Sequence, residues 1–216
     1  MQRSLGVRIA PPRDRNKIRK DVFRLRRQLG IDPRTYINIV KILELVLPII
    51  DPLFHLVPVD DKELPGRYAE TRPTEHAIYV KQSVYLAAER GVGWARMILA
   101  HELGHYFYHG PADVVYAHVD RNERIDPTID PERQADVFAA EFLAPSGELK
   151  GMTPKQIENA YGISITAAKN QLQQANNLVR RHAKKQKSGQ AKSRTADRSN
   201  HLLWSRRLRD RSAVDM

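Results

Sequence analysis

Between residues 15 and 30, apolar side chains recur at Ile18, Val22, Leu25 and Leu29, which lays one apolar stripe along an arginine-rich helix that Gly30 ends. Asp32 and Pro33 open a second helical pattern, in which Ile37, Val40, Ile42, Leu43, Leu45, Val46 and Leu47 predict broad burial up to Pro48. The rhythm then changes. LFHLVPV, RYAET and HAIYV are short, β-prone and separated by polar turns containing Pro and Gly, and they predict a small antiparallel sheet. Helix returns at Ser83 to Arg90, again in WARMILAHELGHYFYH, and again in ERQADVFAAEFLAP, which Asp130 and Pro131 open and Pro145 closes. TPKQIENAYGISITAAKNQLQQA divides at Gly162 into two short helices, the outline of a helix-turn-helix. The order of elements is that of an α+β domain.

Charge does not follow the pattern of burial. The 216 residues carry a formal net charge of +11, which by itself points to a nucleic-acid partner. Residues 1–29 account for +8 and residues 178–216 for +9, whereas the chain between them sums to −6. Basicity therefore belongs to the two ends, and a basic folded face is not expected. Segments 1–13 and 180–216 read as a flexible basic N-terminus and a basic, disordered tail, the latter interrupted by the amphipathic patch HLLWSRRLR. Between them lie a main domain over 14–150 and the helix-turn-helix-like segment over 151–179. No apolar run approaches the roughly 18 to 20 residues needed to cross a bilayer, and the basic start lacks a secretion signal, so a cytoplasmic protein without membrane contact is expected. With no cysteine in the chain, any metal must be held by His, Asp or Glu.

Candidate chemistry lies in ILAHELGHYFYH. His101 and His105 stand four apart, so on a helix both imidazoles project from one face and can reach one ion at about 2.0–2.1 Å. Glu102 is about 100 degrees around the helix, where its carboxylate can act as general base on water activated by that ion. Zinc lowers the pKa of a bound water from about 15.7 toward about 7 and also polarises a peptide carbonyl. An HExxH string arises by chance at about the one-in-a-hundred level in such a chain, so a third ligand is required. The extended pattern HExxHxxGxxH fails at Tyr108 and Pro111, and His109 lies roughly 6 Å further along the helix axis. Glu132 is the better candidate. It shares a helix face with Asp136, one turn on, beside the small Ala135, so that one carboxylate can bind metal while the other accepts the free N–H of a ligating histidine.

HELGHYFYH followed by ERQADVFAAEFLAP resembles the ImmA/IrrE family of metallo-endopeptidases, and the resemblance takes in LPGRYAET and AIYV, spanning roughly residues 14–175. It implies a zincin-like fold, with His101, His105 and Glu132 as zinc ligands and Glu102 as the base. Phe142 and Ala144 depart from the family's usual Leu and Met, at packing positions. The resemblance also implies a protein substrate, a helix-turn-helix transcriptional repressor. Tyr116, His118, Tyr68 and His109 are candidate oxyanion or substrate contacts, whereas His55 and His76 read as structural or exposed. The basic ends suggest weak phosphate contacts with nucleic acid. Acidic Glu158 and the few cations of the second helix after Gly162 speak against groove reading there. The competing reading is a DNA-associated regulator whose metal is structural or sensory.

Overall fold

The computed structural model describes residues 5–119 and 125–180, and of residues 5, 6 and 116–119 the backbone only. The chain divides into two compact units, Met1–Gln173 and Gln174–Met216. All labelled elements lie in the first, in the order β1 (Leu5–Ile9), α1 (Arg15–Gln28), α2 (Ile39–Lys41), α3 (Leu47–Ile50), β2 (His55–Val59), β3 (Ala69–Arg72), β4 (Ala77–Lys81), α4 (Gln82–Glu89), α5 (Gly93–Tyr108), β5 (Val115–Val119), α6 (Pro131–Leu143) and α7 (Pro154–Tyr161). A further helix begins at residue 165. The fold is mixed α+β, as the pattern predicts. The basic tail and its HLLWSRRLR patch fall in residues 181–216, outside the described residues.

Local signals set most boundaries. Asp14 caps α1 by accepting from the Lys17 amide, Asp130 caps α6 by accepting from the amides of Glu132 and Arg133, and Thr153 and Gln156 form a capping box on α7. The second helix starts later than Asp32–Pro33 predicts. Buried Arg26 donates to the carbonyls of Asp32 and Thr35, which holds that segment as a turn, and Asn38 supplies the cap instead. Nor does Pro48 end the helix. A π-helical turn over Ile42–Val46 precedes it, and the chain continues to Ile50.

The sheet corrects the antiparallel expectation. Its order is β2-β4-β3, with β3 antiparallel to β4 but β2 parallel to it, in register His55↔Ala77 through Val59↔Lys81. Alternation of apolar and polar residues fixes which side chains face the core, not strand direction. Val59 pairs with Lys81 and Ala69 with Val80, so β3 begins at the end of the sheet where β2 stops; β3 then runs back antiparallel, and the turn through Pro73–His76 starts β4 parallel to β2. His76 takes the left-handed turn position, and its ring nitrogen bonds to Asp51 at 2.8 Å. Asp51 also accepts from Tyr106 of α5, and these two bonds, Tyr106's foremost, lower its carboxyl to about 2.

The flexible N-terminus is also corrected. Leu5–Ile9 form β1, paired antiparallel with β5 from Leu5↔Val119 to Ile9↔Val115. Leu5, Val7 and Ile9 alternate as a strand should, but high local charge obscures the signal. The helix-turn-helix-like segment packs within the first unit as far as Gln173 rather than standing apart. Its turn is held by buried Arg96 of α5, which donates to the carbonyls of Tyr161 and Gly162 at the end of α7, and to that of Ile37 at 2.6 Å.

The core lies around α5, which buries Ala95, Leu99, Ala100, Leu103 and Gly104. Phe138 and Phe142 of α6 stack 5.5 Å apart beneath it, so Phe142 fills the site where the resembled family carries Leu. At the crossing, a Cβ added to Gly104 would sit 3.1 Å from the Ala135 Cα and 3.1 Å from the Phe138 ring. Such contacts leave no room for a branched side chain. Gly104→Val is therefore expected to destabilise the protein by about 1–3 kcal/mol through overpacking, against a gain of under about 1 kcal/mol from relieving glycine's helical cost. Urea unfolding measures the balance, and stability equal to or above that of the parent would refute the close-approach account.

Candidate metal centre

The closeness of α5 and α6 brings three donors to one point. Nε2 of His101 and Nε2 of His105 are 2.9 Å apart, and Oε2 of Glu132 lies 3.3 Å from the first and 3.5 Å from the second. Among the described residues these three form a group able to hold a metal ion. Ligands at about 2.0–2.2 Å from a tetrahedral ion stand about 3.3–3.6 Å from one another, so the two edges to Glu132 match and the 2.9 Å edge between the imidazoles has to open by a few tenths of an ångström around such an ion. Three nitrogen and oxygen donors so placed are chemically suited to a cation.

The electrostatics agree. The hydrogen bond from His101, the largest influence, holds the Glu132 carboxyl well below the usual carboxylate range. Burial opposes charge on His101, but its bonds to Asp136 and Glu132, together with the nearby Glu102 charge, outweigh that and raise it to about 10. The site favours positive charge at its centre. Asp136 lies one turn beyond Glu132, and its Oδ1 is 2.9 Å from His101 Nδ1. That bond engages Nδ1, so Nε2 is the nitrogen that faces Glu132 and His105.

Glu102 faces the same cleft but is not among the three converging donors. It is held from the sheet. The Thr71 hydroxyl on β3 lies 2.7 Å from Glu102 Oε2 and 2.9 Å from its backbone oxygen. The cleft encloses about 560 Å³ and is lined by Arg8, Arg67, Glu70 and Thr71 as well as the histidines and Glu132. An adjoining hollow of about 340 Å³ has apolar walls from Tyr68, Met97, Ile98 and Ala139.

The other candidates separate. Tyr68 is 60% exposed and borders the apolar hollow, so it is placed to touch a ligand. Tyr116 and His118 lie in β5, and their side chains are outside those described. His109 borders the cleft, but its ring nitrogens are turned to other partners. Its side chain is buried, with Nδ1 2.8 Å from His105 Nδ1 and Nε2 3.0 Å from Gln134 Oε1, so both nitrogens are engaged. Burial lowers its pKa to about 4, with the Gln134 bond pulling the other way. Sequence reasoning missed Thr71 and Gln134. A lone threonine on a strand gives no signal, whereas Gln134, between Glu132 and Asp136, could have been suspected from its neighbours.

Two histidines one turn apart and a carboxylate from a facing helix, beside Glu102 in an open cleft, form a group that could hold a divalent ion and is chemically suited to hydrolysis. The Peptidase M78 family, described as the IrrE N-terminal-like domain, matches residues 57–173, more than half of the chain, and the chain belongs to that family. Membership makes it a peptidase and implies a metal ion. No curated protein matches the sequence.

Asp136 gives a direct test of the site. Asp136→Ala is expected to weaken zinc binding by about 10–100-fold, the usual cost of losing a carboxylate behind a ligating histidine. Chelator competition measures this, and unchanged affinity would show that the Asp136–His101 bond does not orient a ligand.

Proposed function

We propose that this protein is a zinc-dependent endopeptidase of zincin-like architecture, acting in the cytoplasm on a helix-turn-helix transcriptional repressor. The observation that carries the reading is the donor triangle of His101, His105 and Glu132 with Glu102 unligated beside it in the same cleft. Such a site, when loaded, supplies Lewis acidity that activates water and polarises the scissile carbonyl. Everything else is done by the chain itself. Glu102 takes a proton from the attacking water as the new C–O bond forms, then delivers it to the amine as the C–N bond breaks. Thr71 fixes the carboxylate's rotamer for both transfers. β3 is the edge strand of its sheet and lines the cleft, so an extended peptide can lie along it, with an apolar side chain in the hollow beside Met97 and Ile98.

The repressor substrate is supported by the resemblance of HELGHYFYH and ERQADVFAAEFLAP to the ImmA/IrrE enzymes rather than by any feature of the cleft. A second reading, a DNA-associated regulator with a structural or sensory metal, draws on the net charges of +8 and +9 at the two ends and on the helices flanking Gly162. The helix-turn-helix-like segment offers it little. On the helix after Gly162, exposed positions up to residue 173 include a single cation, Lys169, and Glu158 of α7 is paired with Lys155 at 2.6 Å.

Glu102→Gln distinguishes the two. The peptidase reading predicts zinc affinity within about threefold of the parent and cleavage of a co-expressed helix-turn-helix repressor reduced by about 10²–10⁴-fold. Cleavage at the parental rate by this variant would remove Glu102 as the base. Zinc bound with no cleavage by the parent would favour the regulator.

A further inference from the structure

His101 has an acidic partner that sets its tautomer, but among the described residues no carboxylate meets the outer nitrogen of His105; a second histidine does. We propose that Gln134 and His109 form a positioning relay that fixes His105 with its proton on Nδ1, so that the Nε2 lone pair is presented to the metal. The proposal rests on the metal-site reading given above.

The relay starts from groups with only one possible role. Gln134 Nε2 lies 2.9 Å from the Pro11 carbonyl and 2.6 Å from the Thr128 carbonyl, both of which can only accept, so the two amide protons are spent there. The other end, Oε1, lies 3.3 Å from Arg13 Nη1, a guanidinium nitrogen that can only donate. Turning the amide over would oppose like groups at all three contacts, so its orientation is determined by its neighbours. Oε1 is thus the acceptor facing His109 Nε2 at 3.0 Å, and that nitrogen carries a proton.

His109 is buried and its two hydrogen-bond partners are an amide oxygen and another imidazole, with no carboxylate between them to balance a cation, so the ring is neutral and its lone pair lies on Nδ1. Its partner at 2.8 Å, His105 Nδ1, must be the donor. One consequence follows for His105: Nε2 is left unprotonated, 2.9 Å from His101 Nε2 and 3.5 Å from Glu132. Polarity is passed from two backbone carbonyls and one arginine to a metal-facing lone pair through three side chains. Two of the anchors, Pro11 and Arg13, precede the region matched by the family, so the N-terminal segment takes part in setting the site.

Two substitutions separate this relay from simple packing. His109→Phe keeps an aromatic ring but offers no acceptor, and His109→Asn places a carbonyl oxygen close to where Nδ1 stood. Nitrogen-15 NMR of the metal-free full chain reports which ring nitrogen of His105 is protonated, and needs no substitution. The expected result is a proton on Nδ1 in the parent, loss of that preference in His109→Phe with zinc affinity down by about 10–100-fold, and recovery to within about threefold in His109→Asn. A parent His105 protonated on Nε2 would overturn the relay, as would a folded His109→Phe that binds zinc like the parent. If the parent shows the Nδ1 proton but binds no zinc, the relay stands and the metal reading fails.

Discussion

The structure depends on how closely α5 and α6 approach each other. Gly104 faces Ala135 and Phe138 across the crossing, and the absence of a side chain there lets the backbones meet. The histidines lie three positions before and one after Gly104, and Glu132 lies three before Ala135. Both sets of donors are therefore within a turn of the contact, and the spacing of the two helices sets the size of the triangle. Tight helix packing is usually read as a source of stability. Here it also fixes how far a carboxylate stands from two imidazoles.

Around that contact, the polar groups are arranged in order of distance from the centre. The donors face inward, and each histidine is oriented from behind, His101 by Asp136 and His105 by the pair His109 and Gln134. Beyond these lie backbone carbonyls and arginines whose roles admit no choice. A parallel logic holds the periphery together, since buried Arg26 and Arg96 donate from their terminal nitrogens to carbonyls left over at helix ends and turns, although the Nε of each has no partner among the described residues. Buried Glu141 is likewise matched, by Arg15 at 3.2 Å and by Ser146. Removing one partner from such an arrangement would strand a buried charge, at a cost of about 3–5 kcal/mol.

Much of this is visible in the sequence because helical spacing is a strong signal. The four-residue gap between His101 and His105, and the same gap between Glu132 and Asp136, place each pair on one face before any fold is known. Strand direction is not visible, because period-two alternation is the same in parallel and antiparallel pairs, and so the parallel β2–β4 pairing is a finding of the structure. β1 is hidden by the charge around it, since its five residues include Arg8 and a run of further cations follows. His109 looked like a spare residue of the motif because spacing along one helix gives no information about Gln134 on another. Arg26 and Arg96 mislead for a related reason, since burial of a guanidinium is decided by carbonyls distant in sequence.

The central claim is that one divalent ion is held by two imidazoles of α5 and one carboxylate of α6. X-ray absorption at the zinc edge, on full-length protein loaded with one equivalent of zinc, tests it most directly. The account predicts two imidazole ligands and oxygen donors at about 2.0–2.2 Å, with the carboxylate contribution lost in Glu132→Gln. A spectrum with fewer than two imidazoles, or one unchanged by that substitution, would contradict it.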